Sequence, residues 1–85
     1  MIDFDLKKDE ANKIKHGISL SRADDMIVDA VRPDPYSDEP RLRAYGRIDG
    51  EKFCLVYVER GDRLRAISLR RAHSKEYGRH VPQHH

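Results

Sequence analysis

Eighty-five residues allow a single domain over 1–85, and a chain this short buries only about two-thirds of the surface its unfolded form exposes. Hydrophobic and charged residues each make up 38% of it, so the core is thin and much charged surface is left for a partner or for water. The single cysteine, Cys54, excludes an internal disulfide and a cysteine-based zinc site. With no signal-like start and no apolar run of about 20 residues, the sequence predicts a cytosolic protein.

Ile2, Phe4 and Leu6 alternate with charged residues, which predicts a short first strand. Asp5 is placed to cap a helix over 6–16 that turns Ala11 and Ile14 inward and stops at Gly17. Ser19 or Ser21 caps a second helix running to about Asp29, with Ala23, Met26 and Ile27 on one stripe. Pro33, Pro35 and Pro40, with acids between them, mark a loop over 31–40, either a plain connector or a partner contact.

The second half reads as an antiparallel meander. Residues 41–48 alternate cleanly, Asp49-Gly50 is a two-residue hairpin turn, and residues 52–59 are apolar on both faces. Gly61-Asp62 turns the chain into a further strand over 63–71, and Ser74 caps a short last helix that Gly78 and Pro82 end. The class is therefore α+β. The closing Gln83-His84-His85 is native or the remnant of a purification tag, and no chemistry is attached to it.

Two-residue turns set the register. Arg43 should face Val56, Tyr45 face Cys54, Val58 face Arg65 and Val56 face Ile67. One face then holds Leu42, Ala44, Ile48, Phe53, Leu55, Tyr57, Leu64 and Ala66 as the core side. The other holds Arg41, Arg43, Tyr45, Arg47, Lys52, Arg63, Arg65 and Arg71 around an apolar strip of Val56, Val58, Ile67 and Leu69. Residues 1–59 carry ten Lys/Arg against thirteen Asp/Glu, and residues 60–85 carry seven against two. Cations gathered on one rigid surface repel one another until a phosphate backbone relieves them. Tyr45 among them could stack on an unpaired base. The same pattern also describes an outer face solvated by long side chains that lie over apolar strand residues.

Three stretches carry a family resemblance. They are Asp5-x-x-Lys8-x-x-x-Asn12-x-x-Lys15-His16-Gly17-Ile18, then Arg41-x-x-x-x-Gly46, then Glu59-Arg60-Gly61-Asp62-Arg63-x-Arg65-x-Ile67-Ser68-x-Arg70-Arg71-Ala72-x-x-x-Glu76. In combination, over residues 2–77, the chain resembles the BrnT toxins of bacterial type II toxin–antitoxin pairs, grouped with the RelE-like ribonucleases. It departs from them at Phe4, where Trp is common, at Leu20 and Ile27, where Phe is common, at Arg22 in place of Glu, and at His80, where Tyr is frequent.

The resemblance implies a RelE-like fold, RNA cleavage that halts translation, and neutralisation by a BrnA-type ribbon–helix–helix antitoxin. A complex of two toxins with two antitoxins, touching operator DNA only through the antitoxin, is expected with it. Cleavage through the substrate's own 2′-hydroxyl needs no metal or other cofactor, only a base, an acid and stabilisation of phosphate charge. Arg65 is the first candidate for that stabilisation, followed by Arg63 and Arg41. Glu59 is either a base or a structural partner of Arg70. His16 is either an acid–base group or a charged cap on the last helical turn. Lys8, Arg43, Tyr45, Arg47, Arg70 and Arg71 are the expected RNA contacts, and Glu76 the expected anchor of the last helix to a basic neighbour. The rival reading is a non-catalytic module that grips RNA or an acidic partner with the same face.

Overall fold

The computed structural model describes residues 2–36 and 38–82, so Gln83-His84-His85 lie outside the described residues. Helix α1 (Leu6–His16) begins where the Asp5 carboxylate accepts from the Lys7 amide, and ends where the Gly17 amide closes on the Lys13 carbonyl. A 3-10 helix (Leu20–Asp25) follows, capped by Ser19. Four antiparallel strands form one sheet in sequence order: β1 (Ile27–Pro33), β2 (Leu42–Ile48), β3 (Glu51–Arg60) and β4 (Arg63–Arg71). Helix α2 (Ser74–His80) closes the chain. No described helix is long and apolar enough to cross a membrane.

The expected second helix is corrected. The stripe Ala23, Met26, Ile27 has helical spacing, but Ile27, Val28 and Val31 are β-branched and pair with β2 instead. Only the 3-10 helix survives of it, and the proline-marked loop begins at Asp34 rather than Val31. Gly46 permits this pairing, because a Cβ there would lie 2.4 Å from the Ile27 carbonyl oxygen and 2.7 Å from Met26 Cγ. The expected first strand shrinks to one parallel bridge between Asp3 and Arg65. The last helix runs through Gly78, and His73 rather than Ser74 occupies its N-cap.

The inward side of α1 is polar. Asp9 and Asn12 are buried, while Ala11 is exposed and Ile14 is 85% exposed. The reason is that β4 is an edge strand whose free backbone groups need partners. Asn12 accepts from the Leu69 amide at 3.0 Å and donates to the Leu69 and Ile18 carbonyls at 2.8 and 2.9 Å. Asp9 accepts from the Leu20 amide at 2.7 Å and from Ser19 at 2.9 Å. That amide is the main reason its carboxyl titrates below the usual range in spite of burial.

The first hairpin has the expected register, with Asp49 and Gly50 both at positive φ (51° and 80°) as a mirror-image turn requires. The second is corrected beyond Val58. Tyr57 pairs with Ala66 but Val56 pairs with Ser68, so Ile67 is an extra residue, a β-bulge. One extra residue exchanges the faces of everything after it. Leu69 therefore enters the core opposite Leu55, Arg71 sits opposite Phe53 on the α1 side, and Arg70 turns to the other face opposite Cys54. Leu69 and Val58 are buried, so the predicted apolar strip among the arginines is not present as an open surface.

Candidate functional site

The sheet face away from α1 carries its own small cluster: Tyr45, Cys54, Ala72 and Tyr77, with α2 laid across it. The Tyr77 ring meets Tyr45 edge-on at 6.4 Å. Burial pushes the Cys54 thiol up, and the residue is fully buried as a structural thiol would be. Tyr45 is also fully buried, which corrects its expected role: no base can reach its face. That face is already taken by the His80 ring, stacked at 4.8 Å and 14°.

His73, Glu76 and His80 recur at i, i+3 and i+7 and so share one side of α2. They line a cleft of about 610 Å³ whose other walls are Arg32 of β1, Tyr36 of the loop, Arg43 and Tyr45 of β2, and Arg70 of β4, with Arg79 at its margin. Arg70 grips Glu76 through two bonds of 2.8 Å, and the Tyr45 hydroxyl donates to the same carboxylate at 3.1 Å. Arg70 thereby holds the Glu76 carboxyl down at about 2, against the effect of burial. Glu76 is thus fixed as an anion, and the basic neighbour to which it anchors the last helix is Arg70. Arg43 reaches Asp34 at 3.1 Å and lies over the Tyr36 ring at 5.4 Å, while its buried Nε has no partner among the described residues. Arg32 donates to two backbone carbonyls, Val31 and His80, rather than to a carboxylate. The His73 side chain makes no capping bond despite its position.

Acids brought in from β1, the loop and the N-terminus reach most of the other expected cations. Arg47 pairs with Asp29 at 2.9 Å, and Asp29 also accepts from the Tyr77 hydroxyl. Arg47 is the main cause of the lowered Asp29 pKa; burial, with Asp29 adding to it, pushes Tyr77 up to about 12. Arg63 pairs with Asp3 at 3.3 Å, and Arg65 approaches Asp5 at 4.0 Å. Arg71 binds Glu51 and lies over the Phe53 ring. Acids therefore share this surface with the cations.

The expected residues do not form one site. Arg43, Tyr45 and Arg70 enter the cleft. Lys8 and His16 line a hollow of about 240 Å³ between α1 and β4. Arg41 and Glu59 line another beside the loop. Glu59 does not reach Arg70, because it sits at the far end of β3 opposite Leu64. Burial, then Lys15 and Arg70, push the His16 imidazole below its ordinary value. Sequence reasoning missed His73, His80, Arg32 and Arg79. The spacing of His73, Glu76 and His80 was the available signal for the first two.

A family model described as the ribonuclease toxin BrnT of type II toxin–antitoxin systems matches residues 4–76. A crystal structure of the Brucella abortus ribonuclease toxin BrnT superposes with a TM-score of 0.68 at 25% identity, over 86% of this chain and 96% of that one. No curated protein matches the sequence.

Proposed function

This chain belongs to the BrnT family of ribonuclease toxins of type II toxin–antitoxin systems, and from that membership we propose that it cleaves RNA in the cleft beneath α2, without a metal ion. The observation that carries the reading is the pair of imidazoles, His73 and His80, set among Arg32, Arg43, Arg70 and Arg79 in one open cleft. One imidazole takes the proton from the 2′-hydroxyl as its oxygen bonds to phosphorus. The other gives a proton to the 5′ oxygen as the bond from phosphorus to that oxygen breaks. His80 stands where the family frequently has Tyr, and either side chain carries a proton donor. Arg32, which donates to the Val31 and His80 carbonyls, is placed to take the charge that develops on the phosphate. Glu76 does no proton transfer: it holds Arg70 and Tyr45, and Tyr45 holds the His80 ring.

Lys8, Arg63, Arg65 and His16 extend the RNA path along β4 rather than forming the reaction centre, Arg47 and Arg71 are paired with Asp29 and Glu51, and Arg41 and Glu59 line the hollow beside the loop. The cellular consequence is arrest of translation in the bacterial cytoplasm. A BrnA-type ribbon–helix–helix antitoxin, in a complex of two toxins and two antitoxins, relieves it and carries the contact with operator DNA. Antitoxin-free protein incubated with labelled RNA in EDTA tests the chemistry. Cleavage should persist and leave 2′,3′-cyclic phosphate or 3′-phosphate ends. Ends bearing 3′-hydroxyls, or activity lost on chelation, overturn the mechanism, and RNA retention without cleavage returns the non-catalytic binding module.

A further inference from the structure

The face opposite the cleft has an opening that α1 leaves uncovered. Helix α1 packs on β4 and the 3-10 helix, and β1 packs chiefly on β2. Between them lies a groove of about 410 Å³ whose floor and walls include Ile2, Met26, Val28, Val31, Leu55 and Leu64. Val28, Val31 and Leu64 are 51, 42 and 43% exposed. Of the three charged residues on its rim, Asp24 accepts from the Ile2 amide at 2.8 Å, Arg63 pairs with Asp3, and Asp62 has no partner among the described residues, while the remaining lining is apolar. The groove is thus an apolar seat, of the size that holds a few buried side chains.

Its neighbour decides the occupant. Val31 and Arg32 are consecutive on β1, so one lines the groove and the other the cleft. A chain seated in the groove and crossing the free edge of β1 arrives at Arg32, whose guanidinium is held, among the described residues, by backbone carbonyls. We infer that the groove is the docking site of the protein antitoxin, which anchors apolar side chains against Val28, Val31 and Leu64 and carries acidic residues over β1 into the cleft, in place of RNA phosphate. The anchor supplies affinity by burying apolar surface, and the acids supply the block. The inference rests on the toxin reading through the identity of the partner, but not on whether the free chain cleaves RNA.

The experiment uses the full chain and the antitoxin encoded with it. Val28→Asp and Leu64→Asp place a carboxylate on the exposed rim without touching the cleft. Calorimetric titration should show each lowering antitoxin affinity by about tenfold or more, with RNA cleavage by the free Val28→Asp variant unchanged. Antitoxin affinity within about twofold of wild type in both variants overturns the proposal. So does a groove variant that changes only self-association in light scattering, which would assign the groove to a second copy of this chain. Hydrogen exchange on the unmutated complex needs no variant to fold. The amides of 27–33 should gain protection there, and unchanged exchange along β1 is a second way for the inference to fail. Loss of cleavage in the wild-type chain with these binding results intact would count against the reaction, not against the docking site.

Discussion

The two faces of the sheet are built from alternate residues of the same strands, yet they spend polar side chains in opposite ways. On the α1 face the buried polar groups, Asp9 and Asn12, bond mainly to backbone, with Ser19 and Lys13 also reaching Asp9. On the α2 face the polar groups are ionised and bond to one another: Arg70 with Glu76, Arg43 with Asp34, Arg47 with Asp29. They stand around an open cleft rather than under an apolar layer. A buried amide holding a strand edge contributes stability and little else. Partly buried charge pairs add little net stability, because desolvation offsets their attraction, but they keep cations oriented where a phosphate can approach. Stability and chemistry are thereby assigned to different sides of one sheet.

The largest effect should come from the cleft imidazoles. His73→Ala and His80→Ala should each lower RNA cleavage by about 10²- to 10⁴-fold, with the melting temperature moving little for His73, which is exposed. Single-turnover cleavage at saturating RNA checks this. Wild-type rates in both variants would remove the reaction from this face.

Asn12→Ala should produce the opposite pattern. It strips the partners from the Leu69 amide and carbonyl, groups buried against α1, and should cost about 2–4 kcal/mol in urea unfolding. Cleavage per folded molecule should stay near wild type. A loss of rate without a loss of stability would mean that the two faces are coupled.

Glu76 tests how the charge pairs contribute. Its carboxyl sits near 2 in the folded chain against an ordinary 4.5, so the folded state binds fewer protons than the unfolded one. The resulting stabilisation is fully present above about pH 5 and is lost as pH falls through the interval down to about 2. Glu76→Gln should flatten part of that acid limb and lower stability at pH 7 by about 1–3 kcal/mol. The remaining limb belongs to other carboxyls held low, among them Asp29 beside Arg47. Thermal unfolding between pH 2 and 7 reads the difference, and identical slopes in both proteins would show that the Arg70 pair does not set the limb.

How legible these faces were differed for a physical reason. Caps and turns are local: Asp5, Gly17 and Asp49-Gly50 specify their structures within a few residues, and those features matched the expectation. The bulge at Ile67 is not local, because it depends on how β4 seats against α1, and nothing in the spacing of residues 63–71 marks it. That one residue moved Leu69 into the core and exchanged Arg70 with Arg71. The site was hidden for a related reason. Its cations come from β1, β2, β4 and α2, and from sequence Arg32 falls in the proline-marked loop rather than in the strand it occupies.

The smallest predicted effect belongs to Arg65, the leading candidate from sequence. Its side chain is one-third exposed at the start of β4, outside the cleft, with the Asp5 carboxylate 4.0 Å away. An exposed pair at that distance adds little stability, so Arg65→Ala should leave the melting temperature within about a degree or two. If Arg65 contacts RNA along β4, it does so as a point of positive charge, and removing it should weaken binding by a similar factor for every sequence. The logarithmic dependence of affinity on salt should fall by about one unit. Cleavage of bound RNA should be unchanged, which separates a backbone contact from a transition-state contact. Gel shifts across a salt series, paired with single-turnover rates, make the measurement. A rate loss comparable to that of His80→Ala would place the reaction centre at the β4 edge and not beneath α2.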